Sequence, residues 1–129
     1  MNMPLTRVSM IKGRSLEAKN EIRDIIGQVI VDHLKVPSDD RFLIIEELEK
    51  ENFNFHPTCL EIERSDELLI VQIFLNIGRP TEMKKGFYKE LSKQLHQSAN
   101  VRTEDLFINL IEVTQDNWSY GDGIAQFAL

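Results

Sequence analysis

A chain of 129 residues, 42% hydrophobic and 28% charged, has the composition of an ordinary globular protein and can bury a core without metals or disulfides. Its net charge of −6 would repel a polyanion, so no nucleic-acid partner is expected. The lone Cys59 can form no internal disulfide, no stretch approaches the roughly 20 apolar residues of a membrane span, and the N-terminus lacks the basic and apolar blocks of a secretion signal; a cytoplasmic protein with no membrane partner is expected.

In chain order, Leu5, Val8, Met10 and Ile11 form a short β-leaning run that stops at Lys12-Gly13. Ser15 stands where a helix N-cap belongs, and Ala18, Ile22, Ile25, Ile26, Val29, Ile30 and His33 recur at helical spacing until the chain nears Pro37. Ser38-Asp39-Asp40 reads as a turn and Phe42 to Ile45 as a strand too apolar to be exposed on both faces. The connection from Leu48 to Asp66 reads as an excursion with room for a short hairpin. Leu68 to Leu75 is a strand, Thr81 to about Gln97 a helix with Met83, Phe87, Leu91 and Leu95 inward, Thr103-Glu104-Asp105 a turn, and Phe107 to Val113 a strand.

The second series repeats the first at an offset of 65 residues without a gap: Gly13-Arg14 falls on Gly78-Arg79, Glu17 on Glu82, Lys19 on Lys84, Asp40 on Asp105, Phe42 on Phe107 and Glu47 on Glu112. The expected fold is therefore α+β: two β-α-β units, about residues 4–47 and 68–113, related by a pseudo-twofold, forming a four-stranded sheet with both helices on one face. A C-terminal aromatic tail completes the single expected domain. One open sheet face and an apolar tail are most economically covered by further copies of the chain, so a cyclic homo-oligomer is expected.

Candidate chemistry lies at a few positions. Arg14 and Arg79 each stand just before a helix start, where a bound carboxylate would reconcile the cation with the positive end of the helix dipole; pairing with Glu17 and Glu82 three residues on is the alternative. Pro4 heads the first strand, a structurally ordinary place for proline. With Met1-Asn2-Met3 removed it would instead be an N-terminal secondary amine, whose pKa can fall far enough to make it a neutral general base at pH 7. Asp40 could activate a water or simply cap its turn. Trp118, Tyr120 and Phe127 fit core, subunit contact or pocket wall. His33, His56 and His96 lack metal-ligand spacing, and no phosphate loop or nucleophile elbow is present, so neither metal nor cofactor is expected.

Pro4, Gly13-Arg14-Ser15 with Glu17 and Lys19, Val36-Pro37, Asp40-Arg41-Phe42, Gly78-Arg79, Phe87-Tyr88-Lys89 and Asn117-Trp118-Ser119-Tyr120-Gly121 with Gly123, in this order over nearly the whole chain, resemble the tautomerase superfamily. The likeness is greatest to its malonate semialdehyde decarboxylase branch, in which two fused units make a subunit and three subunits a trimer. That resemblance implies Pro4 as acid-base group, Arg79 as the holder of a substrate carboxylate, Asp40 acting on water, and Trp118, Tyr120 and Phe127 in an apolar wall; Arg14 matches the arginine of single-unit tautomerases. Where the branch carries Arg-Pro-Arg, this chain has Ile77-Gly78-Arg79. The implied activity is keto–enol isomerisation of a small anionic 2-oxo carboxylate. Decarboxylation or hydration through Asp40 is the alternative, and a non-enzymatic binding module is what remains if Pro4 stays blocked.

Overall fold

The computed structural model describes residues 4–37 and 41–129. Its elements run β1 (Leu5–Ile11), α1 (Leu16–Leu34), β2 (Phe42–Leu48), β3 (Leu69–Asn76), α2 (Thr81–Ala99) and β4 (Leu106–Val113). The internal offset carries α1 onto α2 end for end, so the repeat in the amino-acid pattern is a repeat in the backbone. Gly13 and Gly78 hold equivalent φ values of +137° and +129°, and a Cβ on either would meet nothing within 4 Å; backbone conformation and not crowding demands glycine between each strand and its helix. The equivalence extends to the helix ends, where Lys35 and Asn100 both close in the left-handed region.

Helix α1 begins as its sequence directs, with Ser15 Oγ accepting from the Ala18 N–H at 3.1 Å. The equivalent position before α2 is Pro80, which supplies no side-chain cap. Ile22, Ile26, Val29, Ile30 and Leu34 of α1 and Phe87, Leu91 and Leu95 of α2 are buried against the sheet together with Val8, Met10, Val71, Ile73 and Leu75. His33, expected on the apolar stripe, is only half-buried, because Leu34 takes the inward position.

The four strands form one sheet in the order β2-β1-β3-β4. β1 pairs with β2 and β3 with β4 in parallel, as β-α-β crossovers require, while β1 and β3 meet antiparallel at the centre. Alternation along the edge strands turns Leu43, Ile45, Leu106, Ile108 and Leu110 toward the helices, and leaves Phe42, Ile44 and Phe107 between 44 and 50% exposed on the other face. The connection of residues 49–68 contains two short 3-10 turns, Lys50–Asn52 and Cys59–Glu61; among the described residues it forms no hairpin. No described helix is long and apolar enough to cross a membrane.

Candidate functional site

The antiparallel seam decides which residues can meet. Leu5 pairs with Phe42 on one side and Phe74 on the other, so β1 and β2 begin at the end of the sheet where β3 and β4 finish. Pro4, buried just ahead of β1, therefore shares that end with Arg41 and Phe42 at the start of β2, with the Asn76–Arg79 segment leaving β3, and with the tail that follows β4. The same geometry sends Arg14, which follows the far end of β1, to the opposite end of the sheet, about 20 Å away for a strand of this length. The chain itself thus brings Arg79, and not Arg14, to the end that holds Pro4. Asp40 lies outside the described residues.

Neither arginine forms the alternative ion pair with the glutamate three residues on; both are committed to backbone carbonyls. Arg79 Nε donates to the Leu34 carbonyl at 2.8 Å and Nη1 to the Asn76 carbonyl at 3.1 Å. The first contact sets a cation at the negative end of α1, where the helix leaves carbonyls without intrahelical partners. Arg79 lines a shallow cleft with Lys35, Gly78, Pro80 and Met83. Burial lowers its pKa, an effect opposed by Glu112, and it remains a cation at neutral pH.

Asn76, 7% exposed, ties this segment to the tail, accepting at Oδ1 from Trp118 Nε1 at 2.8 Å. Trp118 stacks on Tyr120 with ring centres 5.4 Å apart and planes 6° from parallel; Phe127 meets Tyr120 edge-on at 5.6 Å, and Phe42 lies 6.3 Å from it. The turn beneath is braced by the Gln126 side chain, which accepts from the Tyr120 N–H and donates to the Gly121 carbonyl. Leu5, Phe42, Trp118, Ser119 and Tyr120 line a depression of about 240 Å³. The three expected aromatics are therefore one cluster beside the head of β1. Asn76, which orients Trp118, and Phe42, which completes the wall, carried no such role in the sequence reading; the position of Asn76 at the last residue of β3 was the available signal for the first.

Pro4 borders a narrow cleft with Thr6, Gly27, Ile30, Val31, Arg41, Phe42 and Leu43. Phe42 is common to this cleft and the aromatic depression, so the two adjoin there, with Pro4 and Arg41 lining the first and Leu5 the second.

The opposite pole is built differently. Arg14 Nη2 donates to the Glu67 carbonyl at 2.7 Å, and Nη1 contacts Met10 Sδ at 3.9 Å. Burial lowers the Arg14 pKa, with Glu67 and Asp105 opposing. Asp105, the counterpart of Asp40, is fully buried: its carboxylate accepts from the Ser65 N–H at 2.7 Å, from Ser65 Oγ at 2.6 Å and from Arg102 Nη1 at 3.2 Å. The connection between the units thus fastens down the second pole. Among the described residues no group of three or more His, Cys, Asp or Glu side chains could hold a metal ion.

A duplicated β-α-β sheet with proline at the head of its first strand defines a recognisable class. A family profile described as tautomerase enzyme matches residues 40–121, and a second of the same description matches residues 4–62. Two proteins of Bacillus subtilis (strain 168) align over nearly their whole length: the probable tautomerase YusQ, 36% identical over 96% of this chain and 98% of its own, and the probable tautomerase YrdN, 30% identical over 97% and 96%. The chain belongs to the tautomerase superfamily. Among solved structures, malonate semialdehyde decarboxylase superposes with a TM-score of 0.87 at 25% identity over 95% of each chain. A second such decarboxylase, inhibited by 3-bromopropiolate, gives 0.87 at 28% identity over 95% of this chain and 93% of its own. A fused 4-OT trimer shares the fold with a TM-score of 0.76 at 18% identity, over 96% of this chain and 98% of its own.

Proposed function

We propose that this protein is a tautomerase-type isomerase that interconverts keto and enol forms of a small 2-oxo carboxylate, with the nitrogen of Pro4 as its acid-base group. The observation that carries this reading is the position of buried Pro4 in a cleft with Arg41 that adjoins the aromatic depression through Phe42, at the end of the sheet to which Arg79 returns. The nitrogen must be free: acylated by Met3 it is an amide without useful basicity. Neutral Pro4 takes the proton from the enol hydroxyl or from the carbon beside the carbonyl, and protonated Pro4 delivers it to the other position, so that proton and charge balance over the cycle. Arg79 shares in holding the carboxylate and offsets charge developing on the enolate oxygen. The whole chain acts as one domain and requires no cofactor.

Protein beginning at Pro4 should ketonise phenylenolpyruvate, followed by its ultraviolet absorbance. Material retaining the first three residues should be slower by roughly 10²- to 10⁴-fold, the range of general acid-base contributions. Arg79→Ala should mainly raise KM, by about tenfold or more, as expected for loss of a charge-assisted hydrogen bond. Equal turnover with and without a free Pro4 nitrogen overturns the proposal.

The high superposition on malonate semialdehyde decarboxylases favours a second reading, decarboxylation or hydration of a small 3-oxo or unsaturated acid, with Asp40 activating water. It requires Asp40→Asn to abolish that activity while sparing tautomerisation. The outward-facing Phe42, Ile44 and Phe107, together with the trimeric state of the fused 4-OT relative, support a homotrimer.

A further inference from the structure

We infer that Arg41 is a carboxylate-binding residue of the Pro4 site, and that Gly27 of α1 exists to let it stand there. This rests on the reading of Pro4 as the reactive group. Arg41 borders the same cleft as Pro4, whereas Arg79 lines a cleft with which Pro4 shares no residue. Arg79 also spends Nε and Nη1 on the carbonyls of Leu34 and Asn76, while Arg41 is exposed and makes no hydrogen bond or ion pair with any described residue. The enclosed part of the Pro4 cleft is about 10 Å³, room for little more than a water, so a carboxylate would lie across its mouth, where Arg41 is accessible.

Gly27 supplies the second observation. Glycine inside a helix costs about 1 kcal/mol relative to alanine, so a buried one in the middle of α1 needs a reason. A Cβ there would lie 2.8 Å from both Cζ and Nε of Arg41 and 3.0 Å from Nη2. Gly86 of α2 has nothing within 4 Å of the corresponding position, so crowding is not general to the helical glycines of this chain. The bare backbone of α1 leaves the room that the guanidinium occupies. With the aromatic depression adjoining the Pro4 cleft through Phe42, the substrate this arrangement selects is a 2-oxo acid whose carboxylate reaches Arg41 and whose remainder is flat and apolar.

The test uses protein beginning at Pro4 and phenylenolpyruvate. Arg41→Met should raise KM by roughly 10-fold or more with kcat within a few-fold of wild type, and Arg41→Lys should recover part of the loss. Gly27→Ala keeps every charge and favours the helix, yet should raise KM several-fold with an unchanged or higher Tm, an outcome that a purely structural role for either residue does not produce. Wild-type KM in both Arg41→Met and Gly27→Ala overturns the inference. Should wild type itself fail to turn over, the isomerase reading falls; phenylpyruvate binding, read through the fluorescence of the single tryptophan, Trp118, then decides on Arg41 by the same comparison, and equal or absent binding throughout overturns it.

Discussion

Asp105, the counterpart of Asp40 in the repeat, has a buried carboxylate occupied by the Ser65 N–H, Ser65 Oγ and Arg102. An occupied, buried carboxylate contributes to stability because its removal leaves donors without partners. Asp105→Ala should therefore reduce the free energy of unfolding by roughly 2–4 kcal/mol, measured by urea denaturation, with KM for phenylenolpyruvate unchanged in the folded protein. Loss of turnover in a variant that remains folded would instead give Asp105 a part in the chemistry.

At the scale of elements, the Lys and Glu matches of the repeat are contacts between a helix and the strand that follows it. Lys19 Nζ lies 2.8 Å from Glu47 and Lys84 Nζ 2.8 Å from Glu112, so the same α-to-β clasp is made twice. The hydrogen bond from Lys19, aided by charge and by the Gly13 backbone, holds the Glu47 carboxyl below its ordinary pKa. A carboxyl depressed in the folded state stabilises the protein above its unfolded-state pKa, near 4.3 for glutamate, and loses that contribution as pH falls through the folded value. The stability difference between wild type and Glu47→Gln, followed by denaturant titration, should be present at pH 7 and close below about pH 4; a difference independent of pH would refute the assignment. Much at this scale was legible in the sequence, since Ser15, the two Gly-Arg steps and the spacing of Ile22, Ile26 and Leu34 act locally. The partners of Arg14 and Arg79 were not legible. Glu17 and Glu82 are near in sequence, but the carbonyls of Glu67, Leu34 and Asn76 are brought close only by tertiary folding. The pairing of Gly27 with Arg41 escaped for the same reason: the glycine was visible, and the side chain that needs it comes from the residue just ahead of the next strand.

For the whole molecule, the helices cover one face of the sheet, and Phe42, Ile44 and Phe107 remain on the other. Apolar side chains in such numbers on one face are expected to meet other subunits. Sedimentation should give three times the 15.0 kDa chain mass, and Ile44→Glu, away from the Pro4 clefts, should shift the protein toward monomer; a monomeric wild type refutes the trimer.

The central β1–β3 ladder has a consequence for chain order. Phe127 packs on Tyr120, which lies beside Phe42 and hence beside the head of β1, so the tail returns to the neighbourhood where the described chain starts. Joining these ends and opening the chain ahead of Leu69 would make a circular permutant whose terminal amine emerges beside Arg14. Such a rearrangement exchanges front and back of the protein. The side now latched by Ser65 and Asp105 would acquire the loose end, and the side that begins at Pro4 would become continuous backbone.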